Sequence, residues 1–142
     1  MILPDLNVLL YAADDTSPRH LAARTWLEGA VNDSGEEVGL PWVVHLGFLR
    51  LTTSPKVFPR PLAVEQALEW LDHLRSAPSV VSLNPGPGHA GILRHLLLVA
   101  GTGGNLTTNA HLAALALEND ATLVTGDRDY LRFAGLKVKF PF

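Results

Sequence analysis

Carboxylates close two short apolar runs at opposite ends of this chain. Asp5 follows Met1-Ile2-Leu3-Pro4, while Asp127 and Asp129 follow Ala121-Thr122-Leu123-Val124-Thr125-Gly126. In an open parallel sheet the carboxyl ends of the strands face one crevice, and ligands bind there. Two strands ending in acids would gather negative charge in that crevice. Like charges at short range must take up a proton or bind a cation. A set of oxygen ligands alone suits Mg²⁺ or Mn²⁺. Asp5 and Asp127 are therefore the expected metal-holding residues, with Asp129 as a nearby acid.

Such a crevice requires short strands alternating with helices, and the hydrophobic pattern supplies both. Strands are expected at 2–4, 38–40, 79–83, 121–125 and 136–140, where the apolar runs are brief. A short buried helix is expected at 7–13. A second should be capped by Thr16 or Ser17, with Pro18 at its first position and Ala22, Ala23, Trp26, Leu27, Ala30 and Val31 on one face. Pro41 opens a third, through about Leu51. Residues 62–76 form the clearest amphipathic helix, with Val64, Ala67, Leu68, Leu71 and Leu74 facing in. Residues 89–100 are apolar on most sides, which predicts a largely buried helix. Thr108 or Asn109 should cap a central helix over 110–118, ended by Asn119 in a left-handed conformation. A helical turn is expected at 127–133. The alternation predicts one α/β domain over 1–142, with a short, mainly parallel sheet covered on both faces.

Composition narrows the function classes. The chain has 142 residues, 47% apolar and 18% charged, which is enough for one real core and is not a disordered composition. A net charge of −3 gives no global attraction to nucleic acid, so a polyanion would have to be met by a local patch or through a metal. The absence of cysteine excludes disulfides, thiolate zinc sites and cysteine nucleophiles, and is consistent with a cytoplasmic setting. No signal-peptide start and no membrane span is read from the sequence.

Several stretches together resemble PIN-domain proteins of the VapC toxin type. They are Pro4-Asp5-Leu6-Asn7-Val8-Leu9-Leu10-Tyr11, Gly47-Phe48-Leu49-Arg50, Gly104-Asn105-Leu106 with Ala110-His111-Leu112-Ala113-Ala114-Leu115-Ala116, and Thr125-Gly126-Asp127-Arg128-Asp129-Tyr130. The resemblance spans nearly the whole length in order and spacing. It implies a three-layer α/β/α domain that cleaves RNA with Mg²⁺ or Mn²⁺. It also implies a cognate antitoxin that covers the active site, and a homodimer. The family's acidic quartet maps first onto Asp5 and last onto Asp127, with Asp129 auxiliary and Thr125 as the small hydroxyl residue before the last acid. Two positions depart from the pattern. Trp42 stands where the family commonly has Glu, and Asn109 stands where it has the third acid. Asn109 keeps a carbonyl oxygen but loses the charge, so weak nuclease activity is expected.

Arg128 and Arg132 flank the acids and could hold phosphates bidentately. Arg50 is expected either to do the same or to pair with Asp5 or Asp127, and Lys56 and Arg60 could guide a strand. Blander readings compete. Asp5 could merely cap a helix, and Asp127 and Asp129 could merely shape a turn. The six histidines lack zinc-site spacing. The glycine-rich 101–105 segment lacks the Lys-Ser/Thr of a phosphate-binding loop and reads as a connector near the site mouth. No Gly-x-Ser-x-Gly turn supports a serine hydrolase. A dehalogenase-type phosphohydrolase would need an acid at Asn7. Trp42 could stack on RNA bases, although core packing is the expectation for it as for Trp26 and Trp70. A non-cleaving module that binds RNA or an antitoxin is the second functional reading.

Overall fold

A computed structural model describes all 142 residues. Five strands, β1 (Ile2–Pro4), β2 (Val38–Pro41), β3 (Val80–Leu83), β4 (Thr122–Val124) and β5 (Lys137–Lys139), form one sheet in the order β3-β2-β1-β4-β5. Every neighbouring pair is parallel. Six helices connect them: α1 (Leu6–Ala13), α2 (His20–Asn32), α3 (Trp42–Thr52), α4 (Val64–Ser76), α5 (His89–Ala100) and α6 (Leu106–Glu118). A 3₁₀ turn, Arg128–Arg132, joins β4 to β5. From β1 the chain steps outward to β2 and β3, then crosses back to β4 and steps out the other way. Right-handed crossovers put α1–α4 on one face and α5–α6 on the other, in keeping with the α1–α2, α1–α3, α3–α4 and α5–α6 packing. The direction of winding reverses between β1 and β4, and a crevice opens at such a point.

The central strands explain their own burial. Leu3, Val38, Leu40, Leu123 and Val124 are sealed from solvent on both faces, as a covered parallel sheet requires. Phe48 stacks on Trp70 with ring centroids 4.6 Å apart, tying α3 to α4. Gly47 lets α3 approach α1, since a Cβ there would lie 2.6 Å from a Leu6 methyl. No helix is long and apolar enough to cross a membrane.

Five details differ from expectation. Helix α2 begins at His20, because Asp14 accepts from the Thr16 backbone and Ser17 from that of Arg19, folding 14–19 into turns. Helix α6 begins at Leu106, so Asn109 lies within its first turn and is not its cap. Helix α5 is a surface helix: only His89 and Leu96 are buried, and Leu98 and Val99 stand exposed. On α4 the buried stripe is Ala67, Leu71 and Leu74, while Val64 and Leu68 face solvent. The left-handed residue after α6 is Asp120, one position beyond Asn119.

Candidate active site

The crevice between β1 and β4 brings the two ends of the chain together through one hydroxyl. Asp5 ends β1 and caps α1, accepting the Leu6 amide at 2.7 Å. Thr125 follows β4 and is fully buried. Its hydroxyl donates to Asp5 Oδ2 at 2.7 Å and accepts from the Asp127 backbone amide at 2.9 Å. It also accepts from Asn7 Nδ2 at 3.1 Å, which uses its full capacity of one donor and two lone pairs. Asn7 completes the clasp: Nδ2 also donates to Asp5 Oδ2 at 2.9 Å, and Oδ1 accepts the Gly126 amide at 3.0 Å. Gly126 has no room for a side chain, since a Cβ would meet the Phe142 ring at 2.8 Å.

The acids therefore lie side by side, and the expected gathering of Asp5 with Asp127 is present. Asp127 is half-buried, and its Oδ1 accepts the Asp129 amide at 2.9 Å, shaping the turn. Its Oδ2 accepts Nδ2 of Asn109 at 3.1 Å. Asp129 is exposed at the rim. Asp127, Asp129, Asn109, Arg132 and the 102–106 segment line a cleft of about 450 Å³. The glycine-rich connector thus forms one wall of the site.

No cation forms an ion pair with this cluster, although the Arg19 guanidinium lies against Gly126. Neither Asp5 nor Asp127 takes part in an ion pair. Burial raises the pKa of Asp5, its hydrogen bonds from Thr125 and Leu6 oppose the rise, and the Asp127 charge adds to it. Beneath the cleft, Tyr130 is fully buried and its hydroxyl has no hydrogen-bond partner, although it lies near Asp5. Burial, followed by the charges of Asp5 and Asp127, pushes the phenol far above its ordinary range, so it stays protonated. Asn7 and Tyr130 carry no charge and are absent from the expected site. The only signal for them in the sequence is their position beside Asp5 and Asp129.

The donor set fits a hard divalent cation in part. Two carboxylates lie together, with the Asn109 amide donating its N–H to one of them, and an acid pair without a counter-ion favours an added positive charge. A third acid is lacking, and no three His, Cys, Asp or Glu side chains anywhere in the chain are arranged to hold a metal. With its N–H turned to Asp127, Asn109 already offsets part of that charge.

The other expected residues lie elsewhere. Arg50 is exposed in the last turn of α3 and pairs with neither Asp5 nor Asp127, because α3 runs away from the crevice. Arg128 is exposed, with its guanidinium 4.5 Å from the Phe140 ring centre. Trp42 is 52% exposed at the start of α3 and is not core, unlike the partly buried Trp26 and Trp70 packed against the core. Among the histidines, His89 Nε2 meets His111 Nδ1 at 2.8 Å, and its Nδ1 meets Glu118. Both His89 nitrogens are thereby engaged in joining α5 to α6.

The chain resembles known proteins over nearly its whole length. The model of the PIN domain family matches residues 2–136. Ribonuclease VapC37 of Mycobacterium tuberculosis is 45% identical over 96% of this chain and 94% of its own. Ribonuclease VapC33 of the same species is 40% identical, covering 96% and 95%. Among solved structures, VapBC2 from Rickettsia felis bound to a promoter DNA fragment superposes with a TM-score of 0.70 at 18% identity, covering 99% of this chain and 98% of the other. FitAcB from Neisseria gonorrhoeae gives 0.68 at 21%, with coverage of 99% and 98%. At these identities the structures establish likeness of fold.

Proposed function

Because the chain belongs to the PIN-domain family, we propose that it is the ribonuclease toxin of a toxin–antitoxin pair, built around a divalent-cation site and weakened by Asn109. The observation that carries this reading is the carboxylate pair of buried Asp5 and half-buried Asp127, joined through Thr125 and without an ion-pair partner, at the reversal point of the sheet. When bound, Mg²⁺ or Mn²⁺ supplies positive charge to a phosphodiester and makes an attacking water more acidic. Asp5 and Asp127 would hold the ion, and Asn109 would offer its carbonyl oxygen beside them. Thr125 and Asn7 fix the Asp5 carboxylate in one orientation, as groups behind metal ligands do. Asp129 at the rim can accept a proton or orient water. Arg132, on the cleft wall, would meet an RNA phosphate, while Arg128, held over Phe140, and the exposed Arg50 would be peripheral contacts.

The weakness follows from the charge lost at position 109. At an effective dielectric near 20, one charge pair at ~4 Å is worth ~4 kcal/mol. Hydration of the ion reduces this, and what remains corresponds to about tenfold or more in metal affinity. Replacing Asn109→Asp should therefore raise Mn²⁺-dependent RNA cleavage by at least about tenfold. Equal rates for the two proteins would refute the role given to position 109, and absence of cleavage by both would refute the nuclease reading. The second reading, a non-cleaving member that still binds RNA or an antitoxin, draws on the Asn109–Asp127 hydrogen bond, which satisfies Asp127 without a metal.

An antitoxin segment has a groove to occupy. A concavity of about 790 Å³ lies between α2 and α4, away from the acids, with Leu27, Val31, Trp70 and Leu74 among its walls. An amphipathic helix docks in such a groove through its apolar face. The exposed Leu98 and Val99 of α5 are a surface suited to a second copy in a homodimer.

A further inference from the structure

A second charge without a counterpart lies toward the β2–β3 side of the same sheet. The N–H at Nε of Arg75, in α4, donates to His45 Nδ1 at 3.0 Å, and Nη1 donates to Ser82 Oγ at 3.0 Å. Its Nη2 is buried with no acceptor. No carboxylate pairs with it. Its guanidinium lies 5.2 Å from the centre of the Trp42 ring, and the His45 ring packs against the same indole at 4.6 Å. Burial lowers the pKa of His45 and the Arg75 charge lowers it further, which keeps the imidazole neutral and able to accept the Arg75 hydrogen bond; Asp72 opposes weakly. Three elements (α3, α4 and β3) thus hold one flat aromatic ring rigid, with a cation behind it and about half its surface open to solvent.

Position decides what such a ring can meet. Trp42 directly follows β2, and β2 pairs in parallel with β1, which ends at Asp5. β1 and β2 pair at Ile2–Val38, so Asp5 and Trp42 both follow the carboxyl ends of neighbouring parallel strands. Trp42 also opens α3, whose N-terminus carries partial positive charge. An exposed aromatic ring backed by an unneutralised cation, on the sheet edge that also carries Asp5 and Asp127, matches a nucleotide: the base stacks and the phosphates feel the positive field. A second copy of this chain fits less well, since a twofold contact through this patch would oppose two Arg75 cations.

We propose that Trp42, positioned by Arg75 and His45, is a base-stacking subsite for single-stranded RNA on the same edge of the sheet as Asp5 and Asp127. The proposal rests on the ribonuclease reading for its substrate, but binding tests it separately from cleavage. Anisotropy of a short fluorescein-labelled single-stranded RNA would be measured with EDTA present, so that cleavage plays no part. Trp42→Ala should weaken binding about tenfold, and Trp42→Phe should restore most of it. Arg75→Gln should lower the slope of log affinity against log salt by up to about one. Wild-type and Trp42→Ala proteins binding equally, or neither binding, would overturn the subsite. Trp42→Ala that binds RNA normally but shifts a concentration-dependent dimer to monomer would overturn it in favour of self-association. Cleavage by the Asn109→Asp protein judges the nuclease reading independently.

Discussion

Two polar clusters sit at the carboxyl edge of one sheet with opposite defects. At β1 and β4, Asp5 and Asp127 form an anionic pair with no cation. At β2 and β3, Arg75 is a cation with no carboxylate. The fold keeps them apart and does not let them neutralise each other. Contrast Glu118, which is satisfied inside the protein: it takes the His89 ring at one oxygen and the Gly86 amide at the other. A carboxylate treated that way is structural. In the proposed reading, the charges left open at this edge serve ligands, a divalent ion on one side and RNA on the other.

The contrast is broken most severely by removing an acid. In the Asn109→Asp background, Asp127→Asn should reduce Mn²⁺-dependent RNA cleavage by more than the roughly 10–100-fold typical of residues that merely support a metal ligand. A smaller loss, measured by initial rates at saturating Mn²⁺, would move Asp127 out of the centre. Thr125→Val tests the support itself. It keeps the side-chain shape but removes the hydroxyl that joins Asp5 to the Asp127 turn. Mn²⁺ affinity by calorimetry should fall about 10–100-fold, and an unchanged affinity would show that the clasp is passive.

The smallest effect is a pH slope. Asp5 has a raised pKa in the folded protein, so between the ordinary carboxylate range and that raised value the folded state holds more protons than the unfolded one. Stability from this group is then greatest at low pH and declines as pH rises through the window. Thermal melts in EDTA should show the decline, and Asp5→Asn should flatten it. A slope of opposite sign attributable to Asp5 would mean its hydrogen bonds outweigh its burial.

Much of the acid cluster was legible in the sequence because an apolar run ending in an acid is a local pattern, and the parallel sheet turns two such patterns into one place. Asn7 was harder to see, since its importance lies in bonds to Thr125 and Gly126 that span more than a hundred residues of chain. The Arg75 cluster draws on α3, α4 and β3, and no spacing rule connects them. Helix α5 was misjudged because its composition is apolar all round, and only the packing against α6 decides which stripe is covered. Trp42 departs from its expected burial for a similar reason: residue type favours the core, but its place at the strand-to-helix junction leaves it open.

The most direct test of the central claim is anomalous scattering from a crystal of the Asn109→Asp protein grown with Mn²⁺. The account predicts a peak in contact with both Asp5 and Asp127. Manganese elsewhere, with these two carboxylates bonded only to protein, would contradict it.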